Sequence, residues 1–182
     1  LKVPVKGHFG VIGLAGLPDF IYGLFEAITK KVCVLVRLMA TMASGLVFSI
    51  LTGYSITHLD VWGFDYLLMI PLVSFGFTEF AVGGVANSIN LIDGFHGLAS
   101  GTLVIILVTF GLIGWRVGDD VFVLLSLTMA AMILGFFFIN FPFGKLFLGD
   151  AGAYFTGYFV AILAVMLPAR NPEVSPWISL LI

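Results

Sequence analysis

Two short polar stretches in a strongly apolar chain carry side chains that could do chemistry. The first reads Asn87-x-x-Asn90-x-x-Asp93-Gly94-x-His96-Gly97, and the second Gly144-Lys145-x-Phe147-x-Gly149-Asp150-Ala151-Gly152. Each acid is followed by small residues, Gly94 after Asp93 and Ala151-Gly152 after Asp150. Glycine permits positive φ and lets backbone N–H groups come close to an anion. Carboxylates beside such turns suit Mg²⁺, which takes oxygen ligands and shares them with substrate phosphates. Metal-assisted phosphoryl transfer uses these parts: an acid on the metal, a cation on the phosphates, and polar groups that orient the substrate. Lys30, Lys31 and Lys145 supply the cations, and Asn87 and Asn90 supply donors and acceptors.

Plainer roles compete with each of these. An isolated Asp-Gly pair usually only makes a turn; two acidic turns with amides nearby argue against that here. Lys30 and Lys31 also fit as anchors flanking a helix, Phe147 as a packing residue and His96 as a turn residue. Trp62, Trp115 and Trp177 fall near span ends, as aromatic belts do. Asp19 and Glu79 fall inside apolar runs, where a carboxylate is costly and a functional candidate by default. They can equally be neutral, hydrogen-bonded carboxyls.

The elements that must hold these residues are membrane helices. The chain has 182 residues, 60% hydrophobic and only 10% charged, with a mean hydropathy of +1.17; soluble domains carry roughly 25% charged residues. No basic tract points to nucleic acid. Cys33 is alone, so no internal disulfide forms. No cleavable leader stands out at the start. Apolar runs predict spans at residues 9–25, 35–51, 66–86, 99–115, 121–139 and 153–167, and the start of a seventh near Pro176. The runs do not alternate as barrel strands do. The expectation is an all-α, polytopic transmembrane helix bundle of about six complete spans. It forms one domain over residues 1–182, cut at both ends, since the chain starts without Met and stops inside an apolar run.

Counting spans puts the polar corners near Glu26, Asp93 and Asp150 on one membrane face. Residues 53–65, 116–120 and 170–176 read as ordinary turns on the other. Lys30, Lys31, Arg37 and Lys145 on the first face balance Lys2, Lys6, Arg116 and Arg170 on the second. Setting aside Lys2 and Lys6, because that end looks cut, favours a cytoplasmic site.

Asn87-x-x-Asn90-x-x-Asp93-Gly94-x-x-Gly97-Leu98-Ala99 and Phe147-Leu148-Gly149-Asp150-Ala151-Gly152 resemble the signature loops of the polyprenyl-phosphate N-acetylhexosamine-1-phosphate transferases, the glycosyltransferase 4 family, and Thr29-Lys30-Lys31-Val32 through Arg37-Leu38 resembles one bacterial branch of it. The likeness covers nearly the whole chain. It implies a membrane enzyme of the bacterial inner membrane, working at the cytoplasmic face in cell-wall or lipopolysaccharide synthesis. Such an enzyme transfers a sugar 1-phosphate from a UDP-N-acetylhexosamine to polyprenyl phosphate and releases UMP. The implied cofactor is Mg²⁺, with Mn²⁺ as the alternative. By the resemblance Asp150 is the metal ligand, with Asp93 helping to order the metal. Asn90 and Asp93 bind the nucleotide-sugar, Phe147 stacks on uracil and Lys30 approaches the lipid or sugar phosphate; Asn87 and His96 are further substrate-binding candidates, and Glu26 is a catalytic candidate beside Asp93 and Asp150. The bilayer is the solvent, and a homodimer is one arrangement open to the chain.

The chain departs from the family pattern in three places. Glu26-Ala27 stands where the family commonly has an acidic pair, His96 replaces an acid or an Asn, and the early helices and a late His-rich loop fall outside the chain. Two other readings follow from the residues. One is an inactive nucleotide-sugar-binding paralogue, motivated by Ala27 and His96. The other is a transporter that uses Glu79 and Asp19.

Overall fold

The computed structural model describes residues 5–29 and 34–180. Lys30, Lys31 and Cys33 lie outside the described residues, and Glu26 and Arg37 are described in their backbones only. The chain runs through α1 (Val5–Ala15), α2 (Leu17–Thr29), α3 (Val34–Thr52), α4 (Asp65–Leu68), α5 (Pro71–Ile92), α6 (Leu98–Arg116), α7 (Asp120–Asn140) and α8 (Gly149–Arg170). A short 3-10 helix, Pro176–Leu180, follows. The described residues form no strand. Among the described residues four helices, α5 to α8, are long and apolar enough to cross a membrane, and a shorter apolar segment covers Leu38–Thr52. At ~1.5 Å per residue, 19 to 22 residues reach about 28–33 Å, the thickness of a hydrocarbon core. The molecule is a polytopic helical membrane bundle.

Three span boundaries differ from expectation, each for a local reason. The first span is two helices, broken after Ala15 and carried through Gly16 by the Gly16 N–H to Ile12 and Phe20 N–H to Gly16 bonds. Proline fits the first turn of a helix, where its missing N–H costs nothing. Pro18 takes that place in α2 and Pro71 opens α5. The expected 66–86 span is therefore the four-residue α4 followed by α5, which runs on to Ile92. At the other end, α8 begins at Gly149 rather than near Ala153. Both shifts move candidate residues out of loops: Asn87 and Asn90 lie in the last two turns of α5, and Asp150 lies in the first turn of α8.

α8 is the axle of the bundle. It packs along α5 and α2 and is buried almost without a break from Thr156 to Leu167. Small residues allow the close approach: a Cβ on Gly157 would sit 2.6 Å from Ala86 Cα of α5, and one on Gly23 would sit 2.5 Å from Ala151 Cα. Such small-residue contacts are how helices meet in lipid, where the apolar tails give no hydrophobic drive to association. α6 and α7 form an antiparallel hairpin beside this axle. Their outer faces expose Ile105, Leu112, Leu124, Met132 and Phe138. In water such a surface would be an aggregation liability; in a bilayer it is solvated.

The two expected turns at 116–120 and 170–176 hold more than turn chemistry. Asp119 is buried, caps α7 by accepting from Phe122 N–H at 3.1 Å, and accepts from Arg170 Nε at 2.6 Å and Nη2 at 2.8 Å. Asn171 Nδ2 adds a fourth bond. This clamp ties the start of α7 to the end of α8, opposite the polar corners.

Candidate functional site

α5 ends where α8 begins, and the two helices run antiparallel. Three residues of α5 and its C-cap, spaced three apart, face α8 in register. Asn87 Oδ1 accepts from the Tyr154 hydroxyl at 3.3 Å, Asn90 Nδ2 donates to Asp150 Oδ1 at 2.9 Å, and Asp93 Oδ2 accepts from Gly149 N–H at 3.0 Å. Residues three or four apart share a helix face, so the Asn-x-x-Asn-x-x-Asp spacing produces one polar stripe. Asp150 and Tyr154, four apart, answer it from α8. The structure thus brings Asn87, Asn90, Asp93 and Asp150 together.

Asp93 is only 7% exposed. Burial pushes its carboxyl above the usual range; the N–H groups of Leu148 and Gly149 oppose the shift, and the nearby Asp150 adds to it. Its bond to Gly149 has a second consequence. The first N–H groups of any helix lack intrahelical partners. Leu148, at the N-cap of α8, offers no side-chain cap, so Asp93 of another helix does the capping.

The same device recurs at α6. Its N-cap is Gly97, held at φ +75°, a conformation open to glycine, with no side chain to cap the helix. Asn140, the last residue of α7, supplies the oxygen: its Oδ1 accepts from Gly97 N–H. Asn140 Nδ2 donates to the Leu146 carbonyl, so one amide ties the 93–97 corner to the 141–148 loop. The 141–148 loop leans on the first corner at two further points. A side chain at Gly97 would collide with the Phe141 ring, and one at Gly144 would collide with the His96 ring. His96 and Phe147 are exposed, their ring centroids 5.8 Å apart at an interplanar angle of 52°. They form an exposed aromatic edge on the two corners that carry Asp93 and Asp150. Lys145 Nζ lies 5.6 Å from the Phe143 ring centroid.

Of the other sequence candidates, Glu26 lies on the last turns of α2. Because Gly23 packs on Ala151, that end of α2 sits beside the first turn of α8. Lys30 is outside the described residues. Asp19 is buried between helices: its Oδ1 accepts from Thr41 Oγ1 at 2.7 Å, its backbone N–H donates to Ser44 Oγ, and its Oδ2 has no hydrogen-bond partner among the described residues. Glu79 lies mid-helix in α5, half-buried. Tyr154 and Asn140 join the site without belonging to the candidate set that the motifs mark. The four-residue spacing from Asp150 marks the first; nothing local marks the second, whose partners are 43 and 6 residues away.

No three His, Cys, Asp or Glu side chains cluster as a metal cage among the described residues. Asp93 and Asp150 are the carboxylates that could share a divalent cation. Mg²⁺ is commonly held by one or two carboxylates, with water and substrate phosphates completing the octahedron, and that donor set fits this pair.

The chain matches the model of glycosyl transferase family 4 over residues 9–168. It is similar to phospho-N-acetylmuramoyl-pentapeptide-transferases of Streptococcus pyogenes. The identity is 35% over 161 residues with the proteins of serotype M6 strain MGAS10394 and serotype M5 strain Manfredo, covering 87% of this chain and 46% of each relative. The serotype M3 strain MGAS315 protein is 34% identical over the same length. The chain therefore spans about half the length of the curated relatives it matches. No solved structure matches it.

Proposed function

The chain belongs to glycosyl transferase family 4, and from that premise we propose that it forms the site-bearing part of a membrane enzyme. That enzyme transfers an N-acetylhexosamine 1-phosphate, or a related sugar 1-phosphate, from a UDP-sugar to polyprenyl phosphate. In the reaction a phosphate oxygen of the lipid attacks the β-phosphorus of the UDP-sugar. The bond from that phosphorus to the bridging oxygen breaks, and UMP leaves with that oxygen. The product is a polyprenyl diphospho-sugar for cell-envelope synthesis. The site opens at the cytoplasmic face of a bacterial plasma membrane.

The observation that carries this reading is the Asn90–Asp150 hydrogen bond, which joins the two polar motifs into one site at a single end of the bundle. Asp150 and Asp93 would hold Mg²⁺, or Mn²⁺, which neutralises the charge of the diphosphate. Asn90 orients the Asp150 carboxylate, and Asn87 is held by Tyr154 at the next turn. Phe147 and His96 offer exposed rings for the planar base. Glu26 lies at the same end, on the helix leading to Lys30; the role of Lys30 at a phosphate rests on the motif alone.

The test is UMP release by the complete purified protein, given a UDP-N-acetylhexosamine, polyprenyl phosphate and Mg²⁺. Asp150→Asn should lower kcat by about 10²-fold or more, the order seen when one group stabilising developing charge is removed. Wild-type turnover in that variant would overturn the assignment. Nucleotide-sugar binding with no turnover in the unmodified protein would establish the inactive paralogue instead.

A further inference from the structure

We propose that Asn140 is a positioning residue: its amide holds the Asp93–Gly97 corner and the 141–148 loop in the one relative placement that forms the aromatic edge on the corners carrying Asp93 and Asp150. The proposal rests on the transferase reading for its kinetic consequence, and on geometry alone for its structural one.

Asn140 is 2% exposed, which leaves no face for a substrate. Both ends of its amide are engaged. Oδ1 takes the N–H of Gly97 and lies 3.5 Å from Ser100 Oγ, and Nδ2 donates to the Leu146 carbonyl. Its own carbonyl accepts from Gly144 N–H. These partners bracket the ring pair: Gly97 follows His96, and Leu146 precedes Phe147. The orientation of the amide matters as well. An oxygen is needed toward Gly97, because α6 has no cap of its own, and a donor is needed toward Leu146. Asn supplies both in a side chain short enough to act from the last turn of α7. A residue offering one function, or neither, deprives a part-buried backbone group of its protein partner, and the loop moves to reach water or another partner.

The position of the loop controls where Phe147 stands relative to His96, while Asp150 is held separately by Asn90 and, through Gly149, by Asp93. Loosening Asn140 should therefore weaken nucleotide-sugar binding more than it slows the chemical step.

The experiment uses the complete protein in lipid nanodiscs, free of other cysteines (Cys33→Ser in this chain), with spin labels on Phe95→Cys and Leu146→Cys. Both label sites are exposed. Asn140→Ala and the near-isosteric Asn140→Leu should broaden the distance distribution between the labels. Without labels, the same variants should raise KM for the UDP-sugar about tenfold with a smaller change in kcat, a loss of binding rather than of transition-state stabilisation. An unchanged distribution in both variants would overturn the tether, as would a collapse of the folded bundle in both, which would make the amide a fold determinant. A kcat loss with unchanged KM would overturn the assignment to binding. If the unsubstituted protein neither binds nor turns over a UDP-sugar, the proposed function fails, while the label distances still decide the tether.

Discussion

Asp119 and Asp93 are both buried aspartates at helix ends, and their surroundings drive them in opposite directions. Burial raises both. At Asp119 the bonds from Arg170, the Phe122 N–H, the Arg170 charge and the Asn171 amide together outweigh it, and the carboxyl sits below the usual range. At Asp93 the opposing N–H groups are weaker than burial reinforced by Asp150, and the carboxyl sits above it. The first arrangement is a fastener; the second places two acids close together at a site. A carboxyl with a depressed folded pKa adds stability that is complete above the unfolded value, near ~3.9, and is lost as pH falls through the folded pKa. Asp119→Asn should therefore lower stability at pH 7 by about 1–3 kcal/mol, the cost of a broken buried network. The gap in Tm between variant and wild type should close as the pH is taken below the ordinary aspartate range. Thermal melts in detergent over that range check it; a gap that ignores pH would mean the charge is not what fastens the two helices.

Each long helix near the site borrows something from a neighbour. α6 is capped by the end of α7, α8 is capped by the end of α5, and α5 touches α8 through glycine. The last contact can be tested inside the bundle. Gly157 meets the α5 backbone at Ala86, whereas a Cβ on Gly84, two residues before Ala86, would meet nothing within 4 Å. Gly157→Ala must push α8 off α5 and strain the Asn90–Asp150 bond two turns away. It should cost about 1–3 kcal/mol, as overpacking does, and lower turnover as well. Gly84→Ala should be neutral, or stabilising by up to about 1 kcal/mol from helix propensity. Paired melts and UMP-release assays separate them; equal effects would show that the α5–α8 crossing is looser than the backbone contact implies.

At the scale of the whole molecule, the decisive property is sidedness. α5 descends to the site, α6 and α7 leave and return as a hairpin, and α8 starts from it. Asp93, His96, Phe147 and Asp150 therefore share one end, while Asp119 and Arg170 share the other. Single cysteines at Gly94 and Lys145 should react with a membrane-impermeant reagent only after cells are permeabilised, and one at Arg116 should react in intact cells. Reaction of positions 94 and 145 from opposite sides would break the bundle topology. Reaction of both in intact cells would keep the topology and reverse the proposed orientation.

Much of this was legible along the chain, because lipid imposes simple rules. Runs of about twenty apolar residues must become helices that satisfy their own backbone, and counting them already placed Asp93 and Asp150 on one side. The three-residue spacing of Asn87, Asn90 and Asp93 is a helical stripe continuing α5, although polar residues at a membrane boundary read as the end of a helix. Other features depend on partners far apart in sequence. Asn140 as a cap for α6, Asp93 as a cap for α8 and the Asp119–Arg170 clamp are set by which helix ends meet. Hydrophobic periodicity fixes which segments cross the membrane but not which of their ends become neighbours; that is decided by close packing at residues such as Gly23 and Gly157, whose missing side chains have meaning only against the helix they touch.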